Sequence, residues 1–243
     1  YWCCVNCPGN PGAWKRHAVY HKVVKGFRKT TEDGGVTQQR AREVAEDQAR
    51  LAAQSGNAYQ ELLANGARYS SQQDWRRAAR TFREAIALRP DRPEAYYGLG
   101  ATLGNSGHHV EAAQRYLEAR ERQPVGSEGW ASATAWAFTM LKVEACDEVA
   151  KPEWWSDEGL KALSARVARA APDAVVAIQM RALVLSGVFG SLGEARPRSA
   201  AELKEAATHF VWAAALHPAP AGKAALTASA DWCRSQVDTM QQC

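Results

Sequence analysis

Small and apolar residues recur along the middle of the chain at positions 34 residues apart. Small side chains let two antiparallel helices approach closely, and a large aromatic side chain fills the space between neighbouring helix pairs. Proline ends a helix because it lacks an N–H and disfavours helical backbone in the residue before it. The windows 59–92 and 93–126 are therefore each predicted to form a helix pair, with Asp74 as the N-cap of a second helix. The matched positions are Gly66, Ala78, Phe82, Ala85 and Pro90, then Gly100, Ala112, Tyr116, Ala119 and Pro124.

The spacing returns near the C-terminal end, where Ala206, Phe210, Ala213 and Pro218 repeat the order of small, aromatic, small and proline. Between these regions Trp130 opens a predicted helix, and its partner helix is displaced by an insertion. We expect Asp173 to cap the helix after that partner, and a final, more polar helix to cover the exposed end of the stack. The helices predicted outside the two windows are 37–54, 127–146, 156–171, 173–187, 200–216 and 222–240.

This arrangement of Gly66, Ala78, Phe82, Ala85 and Pro90 resembles the tetratricopeptide repeat (TPR), most strongly over residues 57–125. The resemblance implies an all-α fold, an α/α superhelix of about four helix pairs. The third and fourth pairs would be irregular, and a C-terminal capping helix would follow them. The expected segments of the chain are 1–30, a basic segment with cysteines and histidines, 31–56, a linker and helix, and 57–243, the repeat domain.

In the TPR family, partners usually lie on a concave surface lined by the first helix of each pair. The corresponding positions here are small, apolar or amide-bearing for the most part, which suits an extended or helical peptide of little charge. The alternative is that part of this set packs against neighbouring repeats. The expected groove residues are Gln60, Leu63, Ala67, Ser70, Glu94, Tyr97, Ala101, Asn105, Glu128, Ala131 and Phe138.

Chaperone-binding members of the family grip a C-terminal carboxylate with lysine, asparagine and arginine side chains in this groove. The matching positions here are Leu63, Ala67, Gly98, Glu128 and Ser132, none of which carries a cation. Since a carboxylate clamp requires cationic or amide donors, the sequence predicts that this clamp is absent.

The net charge of +4 is unevenly distributed. Six lysines and arginines lie in the first thirty residues, where there is no acid, and the rest of the chain has 24 basic against 26 acidic residues. The N-terminal segment is therefore locally cationic. It is either a solvated basic helix or a contact for an acidic partner, nucleic acid or lipid headgroups.

Two cysteines and two histidines in the same segment have spacings that suit zinc. The spacing of Cys4 and Cys7 would let one tight turn present both thiolates, and that of His17 and His21 would place both on one face of a predicted helix. With Trp14, these residues resemble the two ends of a MYND-type zinc finger, whose middle ligands are missing here. Three interpretations stay open: a metal-free remnant, one zinc ion held by the four residues, or an unrelated tail.

No phosphate-binding glycine loop, nucleophile elbow or metalloprotease motif occurs in the sequence. We therefore predict a non-enzymatic scaffold or adaptor that binds a protein. With no apolar run of eighteen residues and no secretory leader, we expect a cytoplasmic or nuclear protein with reduced cysteines. Two alternatives are a nucleic-acid-binding protein that uses residues 1–30, and the regulatory or targeting region of a larger enzyme.

Overall fold

A computed structural model describes residues 35–54, 56–188 and 198–241. These residues form ten α-helices and one short 3-10 helix, and no strand occurs within the described ranges. The predicted all-α fold is therefore confirmed. The helices are α1 Gly35–Gln54, α2 Ala58–Ser71, α3 Trp75–Leu88, α4 Pro93–Asn105, α5 His109–Glu121, α6 Glu128–Leu141, α7 Asp157–Ala170, α8 Val175–Ser186, α9 Ala200–Leu216 and α10 Pro220–Gln241.

The described chain divides into two compact units near residue 150. The first unit, Gly34–Ala150, holds α1 to α6, and the second, which includes Lys151–Cys243, holds α7 to α10. Within each unit consecutive helices pack against each other, as expected for a TPR-like solenoid. The predicted repeat domain, 57–243, spans both units, and its boundaries stay a prediction.

Polar side chains cap the starts of five of the ten described α-helices. The Asp74 carboxylate accepts a hydrogen bond from the backbone N–H of Arg77 (3.1 Å), which confirms its predicted role at the start of α3. Ser199 and Glu202 form a reciprocal capping box that begins α9 at its predicted residue. Such caps satisfy backbone N–H groups that have no partner inside the helix.

The predicted cap at Asp173 is wrong. The helix α8 begins one residue later, because the backbone carbonyl of Ala174 accepts the first helical hydrogen bond, from Ile178 (3.1 Å). Ala174 is therefore the N-cap residue and has no side-chain cap hydrogen bond. The exposed Asp173 lies in the preceding turn, where the N–H of Ala174 donates to the carbonyl of Ala171 (3.2 Å).

The helix that opens the third predicted pair, α6, is shorter than the apolar pattern indicated. Its backbone leaves the helical region at Val143 (φ −76°, ψ 138°), as β-branched residues readily do, so α6 ends at Leu141. A short 3-10 helix, Glu144–Cys146, follows and buries Cys146 completely. The predicted span of 127–146 therefore contains two elements.

An aromatic ring is wedged between glycines in the first unit. A Cβ atom added to Gly98 of α4 would lie 2.5 Å from Cε1 of Phe82, and one added to Gly66 of α2 would lie 2.8 Å from the same atom. No side chain fits in that space, so the Phe82 ring of α3 contacts both backbones and is only 5% exposed. The predicted role of Phe82 between neighbouring helix pairs is confirmed.

The core of the second unit is built from the apolar faces of its four helices. Leu160 of α7, Ile178 of α8, Phe210 of α9 and Leu226 of α10 are fully buried. The predicted small and aromatic positions of α9 all lie in this core. The final helix, α10, packs against α9 through one apolar face and exposes a polar one.

A charge network, defined as Asp157, Lys161, Arg198 and Glu202, joins the start of α7 to the start of α9. Arg198 Nη1 lies 2.6 Å from the Asp157 carboxylate, and Lys161 Nζ lies 2.5 Å from that of Glu202 and 3.0 Å from that of Asp157. These side chains are largely shielded from solvent. Breaking one member therefore leaves a poorly solvated charge.

Two carboxyls of the charge network have lowered pKa values. Burial alone raises the pKa of Glu202, but hydrogen bonds from Lys161 and Ser199 outweigh this effect and lower the pKa to about 2. Burial alone would also raise the pKa of Asp157. Hydrogen bonds from Lys161 and Arg198 and their positive charges outweigh this effect, so the pKa of Asp157 is lowered too. A carboxyl with a lower pKa in the folded chain stabilises the fold above its unfolded pKa, and this contribution is lost as the pH falls through the folded value.

We expect the second unit to lose roughly 2–3 kcal/mol of stability through Glu202 as the pH falls from about 5 to about 2. Glu202→Gln removes this titrating group, so the free energy of unfolding of the second unit should depend less steeply on pH. Urea denaturation followed by circular dichroism at a series of pH values measures the effect. As a control, Glu153→Gln removes an exposed carboxyl of the same unit and should keep the wild-type dependence. Equal pH dependence of wild type and Glu202→Gln would contradict the prediction.

Candidate peptide-binding groove

The helices α2 and α4, which open the first two pairs, are joined by hydrogen bonds near both ends. The Tyr59 hydroxyl donates to Oε2 of Glu94 (3.2 Å) at their N-terminal ends. Near their C-terminal ends, the hydroxyls of Ser70 and Thr102 lie 3.0 Å apart. The two helices therefore run parallel, and residues about 34 positions apart lie at the same level. Leu63 is level with Tyr97, and Ala67 with Ala101.

These four residues, Leu63, Ala67, Tyr97 and Ala101, form what we call the groove floor, and all four are half-buried. Leu63 packs against the buried cluster of Tyr59, Ala85 and Ala95. Tyr97 packs against a neighbouring cluster that contains Tyr96. The floor thus rests on the core of the unit while it exposes part of its apolar surface.

The rim of the groove is polar. Gln60, Glu94, Asn105 and Glu128 are exposed, and Ser70 is half-buried. The charge of Glu94 is partly balanced by Arg92, whose guanidinium donates to Glu94 Oε1 (3.0 Å). Burial and the neighbouring Glu94 carboxylate raise the pKa of Tyr59 to about 12, so its hydroxyl stays protonated as a donor.

Two of the predicted groove residues do not line an open surface. Ala131 and Phe138 of α6 are 0% exposed, so the structure corrects their predicted role. The reason lies in the sequence of α6, which buries apolar residues on nearly every side, including Ala133, Ala135 and Leu141. The accessible residues of α6 lie on a different row, Glu128, Ser132, Trp136 and Thr139, so the alignment does not give the exposed face of this helix.

An aromatic contact that was not predicted supports the groove floor. The rings of Tyr97 and Tyr116 meet edge to face at 5.3 Å, and Tyr116 stacks on Trp136 of α6 at 6.0 Å. Burial raises the pKa of Tyr97, and a hydrogen bond with Trp136 opposes that shift. The sequence did contain a sign of this contact. When the repeats are aligned at a spacing of 34 residues, the half-buried Trp136 stands where the preceding repeat has the small Thr102.

The possible zinc ligands Cys4, Cys7, His17 and His21 lie outside the described residues, as does the whole basic segment 1–30. The zinc site and nucleic-acid binding by that segment therefore stay predictions. Within residues 35–54, 56–188 and 198–241, no group of three or more His, Cys, Asp or Glu side chains is placed to hold a metal ion. None of the helices in these ranges is long and apolar enough to span a membrane.

Comparison with known proteins supports the repeat. No curated protein matches the chain. Residues 66–107, which include the end of α2 and all of α3 and α4, match the sequence model of the TPR repeat. Three of the four groove-floor residues, Ala67, Tyr97 and Ala101, lie in the part of the chain that matches a TPR repeat.

Proposed function

We propose that this protein is a scaffold or adaptor that holds a segment of a partner protein in the groove between α2 and α4. A TPR repeat supports a role in protein interaction in general. The observation that carries the proposal is the groove floor, an apolar surface of four half-buried residues held between two interhelical hydrogen bonds. A surface that is pre-formed in this way orders few groups when it binds.

The length of the groove limits the size of the segment. Ser70 lies eleven positions after Tyr59 in α2, which corresponds to about 16 Å of helix. An extended chain covers this distance with about five residues, and a helical segment with about three turns. We therefore propose a short linear segment, and not a large folded face, as the part of the partner that enters the groove.

The charges around the groove floor favour a segment of little charge. None of the four floor residues is ionisable at neutral pH, and Glu94 on the rim is already paired with Arg92. The nearest cation of α2, Arg68, donates to Asn65 (3.3 Å) and lies over the Tyr69 ring at 4.6 Å. A strongly acidic peptide would lose hydration in this groove without gaining a partner, and Glu128 is the only other rim carboxylate among the described groove residues that a cationic one could meet.

Site-specific photo-crosslinking tests where the partner binds. A photoreactive side chain at Ala101, in the groove floor, is expected to capture a peptide of a partner protein from a native lysate. The same side chain at Gln114, exposed on α5 of the same repeat, is the matched control and should not capture that peptide. Equal capture at the two positions, or capture at Gln114 alone, would contradict the proposal.

Three further properties belong to this proposal. We propose that the protein acts by binding and not by catalysis, since TPR folds are typically non-enzymatic. One zinc ion held by Cys4, Cys7, His17 and His21, and a cytoplasmic or nuclear location, are proposed on the sequence alone.

A further inference from the structure

The outward side of α3 carries a row of arginines that the groove does not use. Arg76, Arg80 and Arg83 recur at helical spacing on one face, and we call them the arginine stripe. Arg77 lies beside them, and together with Asp74 these side chains line a shallow open depression. All four arginines are exposed.

The stripe is unfavourable for the helix that carries it. Like charges three or four residues apart on a helix repel each other, and Arg76 lies in the first turn, near the positive end of the helix dipole. Nearby acids offset only part of this charge, since Asp74 pairs with Arg77 (3.4 Å) and Glu84 with Arg80 (3.0 Å). Among the described residues, Arg76 and Arg83 have no ion-pair partner. A local excess of positive charge therefore faces solvent.

The next repeat shows that the fold does not require these arginines. The positions 34 residues further on form the same second helix of a pair, α5, and its Ala112, Tyr116 and Ala119 are buried in the same way. Where α3 has Arg76, Arg77, Arg80 and Arg83, α5 has Val110, Glu111, Gln114 and Leu117. The stripe is thus a local addition to the repeat.

We propose that the arginine stripe binds an acidic segment of a protein partner. The stripe extends over about 10 Å of helix, and a guanidinium is a planar fork that matches a carboxylate. Three guanidiniums over this distance fit a run of a few acidic side chains, whereas nucleic acid favours a longer cationic track with free aromatic rings. The ring of Tyr69 beside the stripe is already covered by Arg68 at 4.6 Å and Arg77 at 5.8 Å.

The stripe belongs to α3, and the groove floor belongs to α2 and α4. The first unit would therefore contact partners through two separate surfaces, one apolar and one cationic. Binding at the stripe should persist when the groove is blocked, so an Ala101→Glu variant is expected to bind acidic peptides as the wild type does.

Fluorescence anisotropy tests the proposal with a fluorescein-labelled peptide of six consecutive glutamates, titrated with the full chain at about 50 mM salt. The triple variant Arg76→Gln, Arg80→Gln, Arg83→Gln is expected to raise the Kd about tenfold, as the loss of three exposed ionic contacts implies. A matched variant, Arg166→Gln, Arg169→Gln, Arg234→Gln, removes three exposed arginines from the second unit and should stay within about twofold of wild type. Binding should weaken with added salt.

Three results would overturn the proposal: no binding of the peptide by the wild type, equal losses in the two triple variants, or tighter binding of a twelve-nucleotide single-stranded RNA through the same arginines. Circular dichroism checks folding, and the stripe variant is expected to melt no lower than the wild type because it relieves repulsion. If the triple variant does not fold, the Kd of the single variant Arg83→Gln for the glutamate peptide is measured instead. A twofold or larger increase in Kd supports the proposal, and an unchanged Kd overturns it.

Discussion

Phe82→Ala is expected to lower the free energy of unfolding of the first unit by about 3–5 kcal/mol, the usual cost of truncating a buried phenylalanine. The cost should lie at the upper end because the ring fills a space bounded by backbone. Gly66 and Gly98 have no side chains that could move into the cavity, so the site collapses poorly. Loss of the ring would also loosen the contact between α2 and α4, which form the groove floor.

Amide hydrogen exchange measures this effect separately in the two units. In Phe82→Ala, protection should fall in α2 to α4 and stay unchanged in α7 to α10. Leu88→Ala, on the same helix, truncates a side chain that is 48% exposed and should cost about 0.5 kcal/mol or less. A similar small cost for Phe82→Ala would show that the ring does not hold the helix pairs together.

Asp157→Asn is expected to destabilise the second unit by about 3 kcal/mol, because removing one partner of a buried ion pair leaves the other charge uncompensated. The side chain of Arg198 is only 5% exposed, and Asp157 is its ion-pair partner among the described residues. The substitution keeps the size of the side chain, so the change in stability reports the loss of the charge. Lys161 loses one of its two carboxylate partners and keeps Glu202.

An exposed pair on α10 provides the control for Asp157→Asn. Asp231 and Arg234 are 2.7 Å apart, but their side chains are 64% and 55% exposed. Surface ion pairs of this kind contribute between about zero and 1 kcal/mol, so Asp231→Asn should be close to neutral in urea denaturation. Equal effects of the two substitutions would mean that the charge network does not stabilise the second unit.

The repeat itself could be predicted because its physical causes are local in the sequence. Proline, glycine and a capping aspartate act on their own helix, and Phe82 contacts residues at fixed repeat distances. The helix α9 shows this well, since Ser199 and Glu202 fix its start at the predicted residue. The cap at Asp173 failed because the backbone geometry makes the neighbouring Ala174 the N-cap residue, and alanine has no side chain that would indicate a cap in the sequence.

The positions of the candidate groove residues, though not their role in binding, could be predicted where the repeat stays regular. The residues on α2 and α4 lie where the alignment places them, since the hydrogen bonds from Tyr59 and Ser70 keep the two helices in register. The alignment also assigns Ala131 and Phe138 of α6 to the groove, but both residues are buried. Which face of a helix stays accessible depends on its neighbours, and in α6 that face contains Glu128, Ser132 and Thr139 and not the row that the alignment gives.

The sequence indicates the arginine stripe but does not indicate the charge network. The arginine stripe is visible as a helical spacing of three arginines, although that pattern alone does not distinguish a solvated face from a binding surface. The charge network is not visible, because Asp157 lies at the start of α7 and Arg198 just before α9, and the two pair only after folding. Pairing of this kind follows from tertiary packing, for which the sequence has no fixed spacing.

Isothermal titration calorimetry with the peptide that is crosslinked at Ala101 tests the central claim most directly. The synthetic peptide should bind the wild type and Gln114→Glu with equal affinity. Ala101→Glu should weaken binding at least tenfold, because it places a carboxylate without a partner against an apolar ligand. Equal affinity for Ala101→Glu and the wild type would contradict the account, since the groove between α2 and α4 would then not be the binding surface.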